Sequence, residues 1–439
     1  MDINEFYFIG FGLVATALLE VFNLEKAFYN KKITIIEPED IKVDLLDGRK
    51  YLHIKEYLTK ENHKNLLKNI TNHTLIIDLS VELDSVMVIK YSKEKGAMYI
   101  NTSVENWEEF HSDKALSKNY DDFKNNTLYH RELEVDELLK NSKVTRVVNF
   151  GMNPGGISEF TKLGLKEYGK SKGKKLIKGN YARLGYELGL KKILIVEYDS
   201  QQTDLTPKKD VFYNTWSPLG AQSEFSDYVM ISLNNEDLER LKDVIIKPTE
   251  GDENTHIRFL PNRGMDTYDT GTTLDLDGEP FYYEGGMLIP HAEIFSMSRF
   301  FQYKDDAPTI LYIYRPSDIC LKSTENFRKN NYQPLNNYYG LESKDITNDG
   351  FDSIGALLVF ENGDNFWSGT VQSQNQVLEL GFKYAQATTV QVAGWIYATI
   401  KYMFKHPKDG FNEPETLKSN ELFKTARKYM GKIFMKLIE

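Results

Sequence analysis

Phe6-Tyr7-Phe8-Ile9-Gly10-Phe11-Gly12-Leu13-Val14-Ala15 runs on into Thr16-Ala17-Leu18-Leu19-Glu20-Val21-Phe22: an apolar and aromatic stretch, a glycine turn, then a helical pattern. The motif is Gly10-x-Gly12-x-x-Ala15, placed between a strand and a helix. Gly10 supplies backbone angles that a tight turn needs. Gly12 has no side chain to hold a pyrophosphate away, and Ala15 lets helix and strand approach closely. Free N–H groups at the helix start, from Gly12, Leu13 and Val14, then face the phosphate charge. The second apolar run, Ile33 to Ile36, ends in Glu37. An acid there accepts the ribose hydroxyls and disfavours a 2′-phosphate, so NAD is the expected cofactor.

Working outward, Thr74–Leu79, a helical stretch over 84–95, Ala97–Asn101 and Val144–Phe150 continue the alternation of short strands and helices. Alternation of this kind implies parallel βαβ units. Residues 1–153 therefore read as a Rossmann-type, doubly wound parallel sheet of an α/β protein. Asp78, Ser80 and Thr102 follow strands of this sheet and join the cofactor candidates; Asp78 and Ser80 read equally well as caps of the helix that begins near Asp84. Residues 154–385 are rich in Tyr, Phe, Gly and Asn, with runs at 192–197, 309–314 and 354–360, and read as a second, mixed-sheet α+β domain. Residues 386–439 read as a C-terminal tail of helices that packs back on the first domain.

The 439 residues carry 54 basic and 64 acidic side chains, a net charge of −10. Nucleic-acid binding rests on clustered Lys and Arg, so the acidic balance argues against it and suits a cationic substrate. No apolar run is long enough to span a membrane. Cys320 is the single cysteine, which excludes an internal disulfide and fits a reducing cytoplasm. No histidine spacing matches a metal site, and no metal is expected.

Several acids and amides follow apolar strands, where the ligand crevices of α/β sheets form. Glu105 comes after the run ending at Asn101. Asn153 sits in Gly151-Met152-Asn153-Pro154-Gly155, whose proline and glycines fix the backbone. Glu197 and Asp199 follow the 193–196 run. In Asn214-Thr215-Trp216-Ser217-Pro218-Leu219-Gly220-Ala221-Gln222-Ser223-Glu224, the tryptophan stands beside Pro and Gly, outside regular strand. Its face attracts ammonium groups, and Glu224 is placed to hold the far end of an alkyl diamine. The alternative is a tryptophan anchoring a loop on the core. His291, in Ile289-Pro290-His291-Ala292-Glu293, is a candidate for proton transfer.

These residues resemble the bacterial homospermidine synthases, relatives of the saccharopine dehydrogenase group, along nearly the whole chain. The resemblance rests on Ile9–Gly12, Asp78-Leu79-Ser80-Val81-Glu82, Tyr99 to Trp107, Gly151–Gly155, Asn214–Ser217 with Glu224, and Ile289–Glu293. It implies the conversion of two putrescines to homospermidine and ammonia, with NAD retained as a hydride store. It further implies that Trp216 faces the cationic imine, that Glu105, Glu197 and Glu224 hold ammonium ends, and that one of these acids is the base. Asn153 would orient the substrate or the nicotinamide, His291 would line the same pocket or assist proton transfer, and Asp352 is a weaker substrate-binding candidate. A homodimer through the middle region is implied as well. The loop after Glu197 and Pro290 depart from the family pattern. The runner-up is a saccharopine dehydrogenase-like reductase forming a carboxylated polyamine such as carboxynorspermidine. Such an enzyme needs a basic clamp, and the candidates here are acidic and aromatic.

Overall fold

The structure, a computed structural model, describes residues 2–106, 127–248, 255–268 and 285–438, and the backbone of 275–276 and 279–282. Trp107, at the end of one quoted motif, lies outside the described residues. Among the described residues, seven strands form one parallel sheet. They are β1 (Glu5–Ile9), β2 (Lys32–Ile36), β3 (Tyr51–Ile54), β4 (Thr74–Asp78), β5 (Met98–Asn101), β6 (Arg146–Val147) and β18 (Phe411–Asn412). Their order is β18-β6-β5-β4-β1-β2-β3, with β1 paired in parallel to both β2 and β4. The order reverses at β1, which is where a doubly wound sheet leaves a crevice. Both faces of β1 are buried: Phe6 and Phe8 join one apolar cluster, Tyr7 and Ile9 another. That explains an unbroken apolar run in place of alternation.

The second sheet has eight strands: β7 (Leu190–Asp199), β9 (Tyr228–Ser232), β10 (Ile257–Arg263), β13 (Met287–Leu288), β14 (Thr309–Arg315), β16 (Phe351–Phe360), β17 (Asn365–Ser373) and β19 (Lys432–Ile438). β14 and β7 are parallel, while β16 runs antiparallel to β7 and β17, so the sheet is mixed. Two further pairs, β8 (Val211–Asn214) with β15 (Asn337–Gly340) and β11 (Asp275–Leu276) with β12 (Glu279–Tyr282), stand apart. No helix among the described residues is long and apolar enough to cross a membrane.

Three readings of the sequence change. The tail is helical over Ala387–Lys405 and Ser419–Ala426, but it also supplies β18 to the first sheet and β19 to the second. In β19, Ile433 and Met435 face the main core while Phe434 and Ile438 face the opposite side. Apolar groups on both faces hide a strand's alternation. The 193–196 run extends to a ten-residue strand, so Glu197 and Asp199 lie inside β7 and not beyond it. The Val144–Phe150 run shrinks to two strand residues. The helix Ala387–Lys405 packs on the helix Leu13–Leu24, with Phe22 and Tyr397 ring centroids 6.0 Å apart.

Candidate functional site

The glycine turn is built as its residue types require. Gly10 has φ +80°, and a Cβ there would lie 2.9 Å from the backbone of Leu79 and Ser80. Gly12 differs: a Cβ on it would meet nothing within 4 Å, so no packing within the chain demands a glycine. The open space at Gly12 fits a ligand that comes close to the backbone. The helix Leu13–Leu24 starts with no side-chain cap, unlike the helix Ser85–Lys95, whose Met87 N–H donates to Asp84. Uncapped N–H groups at a helix start suit a pyrophosphate. Glu37 stands beside them: its Oε2 accepts from Phe11 N–H at 2.7 Å and its Oε1 from Glu39 N–H at 3.1 Å. Ala15 is buried against the sheet, and Leu13 packs on Gly340, where a Cβ would come within 2.8 Å.

The cap of the helix at 85–95 is Asp84, so neither Asp78 nor Ser80 takes that part. Asp78 is buried and accepts from Ser80 Oγ at 2.6 Å and from Tyr99 Oη at 2.9 Å. Burial pushes its carboxyl up to about 6 against these hydrogen bonds. Ser80, Thr102 and Val14 instead reach a cleft of about 1200 Å³, open mouth included, that lies between the ends of the first-sheet strands and the second sheet.

Across the cleft stands a wall of acids and rings. Glu105, Asn153, Glu197, Trp216, Glu224 and His291, distant in sequence, all line it. The turn at Gly151–Gly155 is closed by Gly151 N–H donating to the Pro154 carbonyl at 2.6 Å, and it carries Asn153. Asn153 Nδ2 donates to Glu197 and to Tyr312 Oη, and Tyr312 Oη donates to Glu197. The loop holding Trp216 is pinned on both sides: Thr215 Oγ1 donates to Asp199 at 2.6 Å, and Ser217 caps the helix Pro218–Ser226 by accepting from Gly220 N–H at 3.0 Å. Trp216 Nε1 donates to Tyr314 Oη at 3.1 Å, which fixes the indole plane. His291 is 8% exposed, pairs with Glu293 and stacks on the Tyr312 ring at 4.5 Å and 11°.

The electrostatics follow from crowding acids out of water. Burial pushes Glu197 up to about 7, against the donors Tyr312 and Asn153 and with help from Asp199. Burial pushes Glu224 up to about 8, with Glu105, Glu197 and Glu293 adding to it; its Oε2 has no hydrogen-bond partner. For His291, burial opposes the charge, but Glu293, Glu224 and Glu197 outweigh it and raise the ring to about 9. Glu197 and Glu224 therefore hold protons closer to neutrality than ordinary carboxylates do, and a cation brought beside them would displace those protons.

Among the substrate-binding candidates, one stands outside the cleft lining. Asp352 is 0% exposed on β16, opposite Asp199 in register, and accepts from Gln391 Nε2 at 3.1 Å. It does not line the cleft, so direct substrate contact is not its part; the strand register sets it beside Asp199, two residues along β7 from Glu197. Among the lining residues that escaped the sequence reading are Tyr312, Arg131 and Asp227. Arg131 supplies a positive charge where an acidic site was expected, and it lowers the proton affinity of neighbouring Asp227, which burial raises to about 6. A signal for Tyr312 existed in the two tyrosines at alternate positions of the 309–314 run, whose hydroxyls need partners when buried.

Residues 6–147 match the family described as the saccharopine dehydrogenase NADP binding domain. The chain is 26% identical to the homospermidine synthase of Blastochloris viridis, over 97% of its own length and 89% of that protein. It is also 26% identical to the homospermidine synthase of Mesorhizobium japonicum, over 97% and 88%. Among solved structures, the homospermidine synthase of Legionella pneumophila in complex with NAD superposes with a TM-score of 0.83 at 26% identity, covering 98% of this chain and 91% of that one. Apo saccharopine dehydrogenase (L-Glu forming) from Saccharomyces cerevisiae shares the fold, with a TM-score of 0.54 at 10% identity.

Proposed function

Because the chain resembles the bacterial homospermidine synthases over nearly its whole length, we propose that it condenses two putrescines into homospermidine with release of ammonia. The observation that carries the reading is the convergence of Trp216, Glu105, Glu197 and Glu224 on one cleft beside the glycine turn. Arg131 is the single Lys or Arg among the described lining residues and stands against four carboxylates, Glu105, Glu197, Glu224 and Asp227. That balance favours a diamine over a substrate that brings a carboxylate.

NAD is proposed as the cofactor, held by the Gly10–Gly12 turn, the N–H groups of Leu13 and Val14, and Glu37, with Ser80 and Thr102 beside it. When bound, it would supply reversible hydride transfer, first from the carbon bearing one amine of putrescine and then back to the new carbon–nitrogen double bond. The residues of the chain do the rest. Glu197, near neutrality, takes the proton that a substrate ammonium must lose before its carbon can be oxidised. Asn153 and Tyr312 hold that carboxylate toward the cleft. The indole face of Trp216 stabilises the cationic carbon–nitrogen double bond. Glu105 and Glu224 hold the distal ammonium and so set which carbon reacts. His291, protonated well above neutrality, hands a proton to the departing ammonia. Two putrescines then equal homospermidine plus ammonia in every atom, with no net redox change.

A homodimer is part of the same reading. The second sheet carries Leu194, Tyr198, Ile313, Phe351 and Leu357 around Val196 and Trp367 in an apolar cluster built only from strands among the described residues. A bare apolar sheet face of this kind suits a second copy, and light scattering measures the mass directly. The activity is tested by incubating the protein with putrescine and a catalytic amount of NAD. Homospermidine and ammonia in equal amounts, without accumulation of NADH, is the expected result. Stoichiometric NADH, or no homospermidine, would sink the reading.

A further inference from the structure

β14 presents Ile310, Tyr312 and Tyr314 to the main core while Ile313 faces the other side, as strand alternation dictates. Both tyrosines are almost fully buried, and both spend their hydroxyls on the cleft wall. Tyr314 lies directly across from Glu197 in the parallel register with β7, yet its hydroxyl accepts from Trp216. Tyr312, one repeat earlier, sends its hydroxyl to Glu197 and receives Asn153, while its ring carries His291 in a near-parallel stack. A single side chain therefore touches both groups assigned to proton transfer, Glu197 and His291, and the amide of Asn153 that orients one of them. We propose that Tyr312 is a positioning residue, which orients the Glu197 carboxylate with its hydroxyl and holds the His291 ring against its own.

The proposal rests on the functional reading above for what Glu197 does, though not for how Glu197 titrates. The groups that bear on this carboxylate are Asp199 on its own strand, Asp352 on β16, His291, Glu224 and the two tyrosines. Burial drives it up, and the Tyr312 and Asn153 donors hold it down to about 7. Removing one donor to the charged form must therefore raise it. The same loss frees the edge of the His291 stack without removing the ring, because phenylalanine keeps the aromatic surface.

Infrared titration of the unliganded protein reads Glu197 directly, through the protonated carboxyl stretch that Glu197→Gln deletes. In Tyr312→Phe the midpoint of that band should rise by about one pH unit. The acid limb of kcat/KM for homospermidine formation should rise by the same amount, so the loss at pH 6 is about tenfold and vanishes near pH 9. Tyr314→Phe is the control for losing an equally buried hydroxyl on the same strand: it should leave the Glu197 midpoint in place. A midpoint unmoved in Tyr312→Phe, or moved equally in Tyr314→Phe, overturns the proposal. Should wild-type protein form no homospermidine, the functional reading fails while the infrared titration still decides the role of Tyr312.

Discussion

The glycine turn and the acid–aromatic wall face each other across one cleft and are made in opposite ways. The turn is consecutive backbone: Gly10 needs its positive φ, Gly12 leaves open space, and Glu37 braces the loop through Phe11 N–H. The wall is assembled from side chains that the sequence scatters over 105–312, joined through Asn153, Glu197, Tyr312 and Trp216. Backbone sites hold a ligand common to many folds, whereas side-chain sites decide what reacts. Variants should therefore separate the two, losing cofactor affinity on one side of the cleft and turnover on the other.

The largest effect is expected at the base. Glu197→Gln keeps the size and one acceptor but cannot take a proton, so homospermidine formation should fall roughly 100- to 10,000-fold. NAD affinity, measured by isothermal titration, should stay within a factor of about two, since the carboxylate belongs to the wall. A comparable loss of NAD binding would erase the division between the two regions. Trp216→Ala comes next. A desolvated cation–π contact is worth about 2 kcal/mol, so turnover should drop about 30-fold with the fold and NAD binding intact. Normal turnover in that variant would return the indole to the part of a loop anchor.

How far each region was legible follows from the same contrast. The turn, its cofactor class and the alternation of the first sheet are local patterns, and Gly10, Gly12 and Glu37 stand where the spacing put them. Asn153, Glu197, Trp216 and His291 were singled out as polar residues at strand ends or beside Pro and Gly, and the chain brings them together. What joins them was not legible. Tyr312 stood in the 309–314 strand run without being singled out, because apolar residues on both faces of that strand hide its polar members. Asp352 read as a site acid, but pairing between β16 and β7 sets it beside Asp199, and register is not written in one strand alone. β18 and β19 were missed because each pairs only with a strand distant in sequence, Phe411 with Arg146 and Lys432 with Val371.

On the turn side, Gly10→Ala brings a Cβ to 2.9 Å from the Leu79–Ser80 backbone at φ +80°. The left-handed conformation alone costs about 1–2 kcal/mol for a residue with a Cβ. Thermal unfolding should show that loss, and NAD affinity should weaken with it as the turn shifts. At saturating NAD the remaining turnover should approach wild type, the reverse of the Glu197→Gln outcome. A turnover defect that saturating NAD does not repair would mean that the turn also shapes the wall.

The smallest effect, and the one that tests the wall as a unit, is the pH dependence of putrescine binding. Glu197 and Glu224 are raised above the ordinary carboxylate range to about 7 and 8 by burial. A carboxyl raised in the folded state favours folding fully at low pH, and that contribution is lost as pH rises through 7 and 8. The unliganded protein should therefore become less stable from about pH 4.5, the ordinary carboxylate value, up to about pH 8 on account of these two groups. An ammonium works in the opposite sense, because it stabilises the ionised acids that burial penalises, and primary amines stay protonated up to about pH 10. Diamine binding must then release protons, and the putrescine-induced rise in melting temperature should grow from pH 6 to 8.5. Isothermal titration in buffers of different ionisation enthalpy counts the protons, and about one should leave per diamine near pH 7. A pH-independent affinity with no proton release would mean that the acids already stand ionised, with a solvated wall in place of a buried one. Replacing Glu224 by Gln sharpens the assignment: the upper part of the pH dependence should vanish while the part near 7, owed to Glu197, remains.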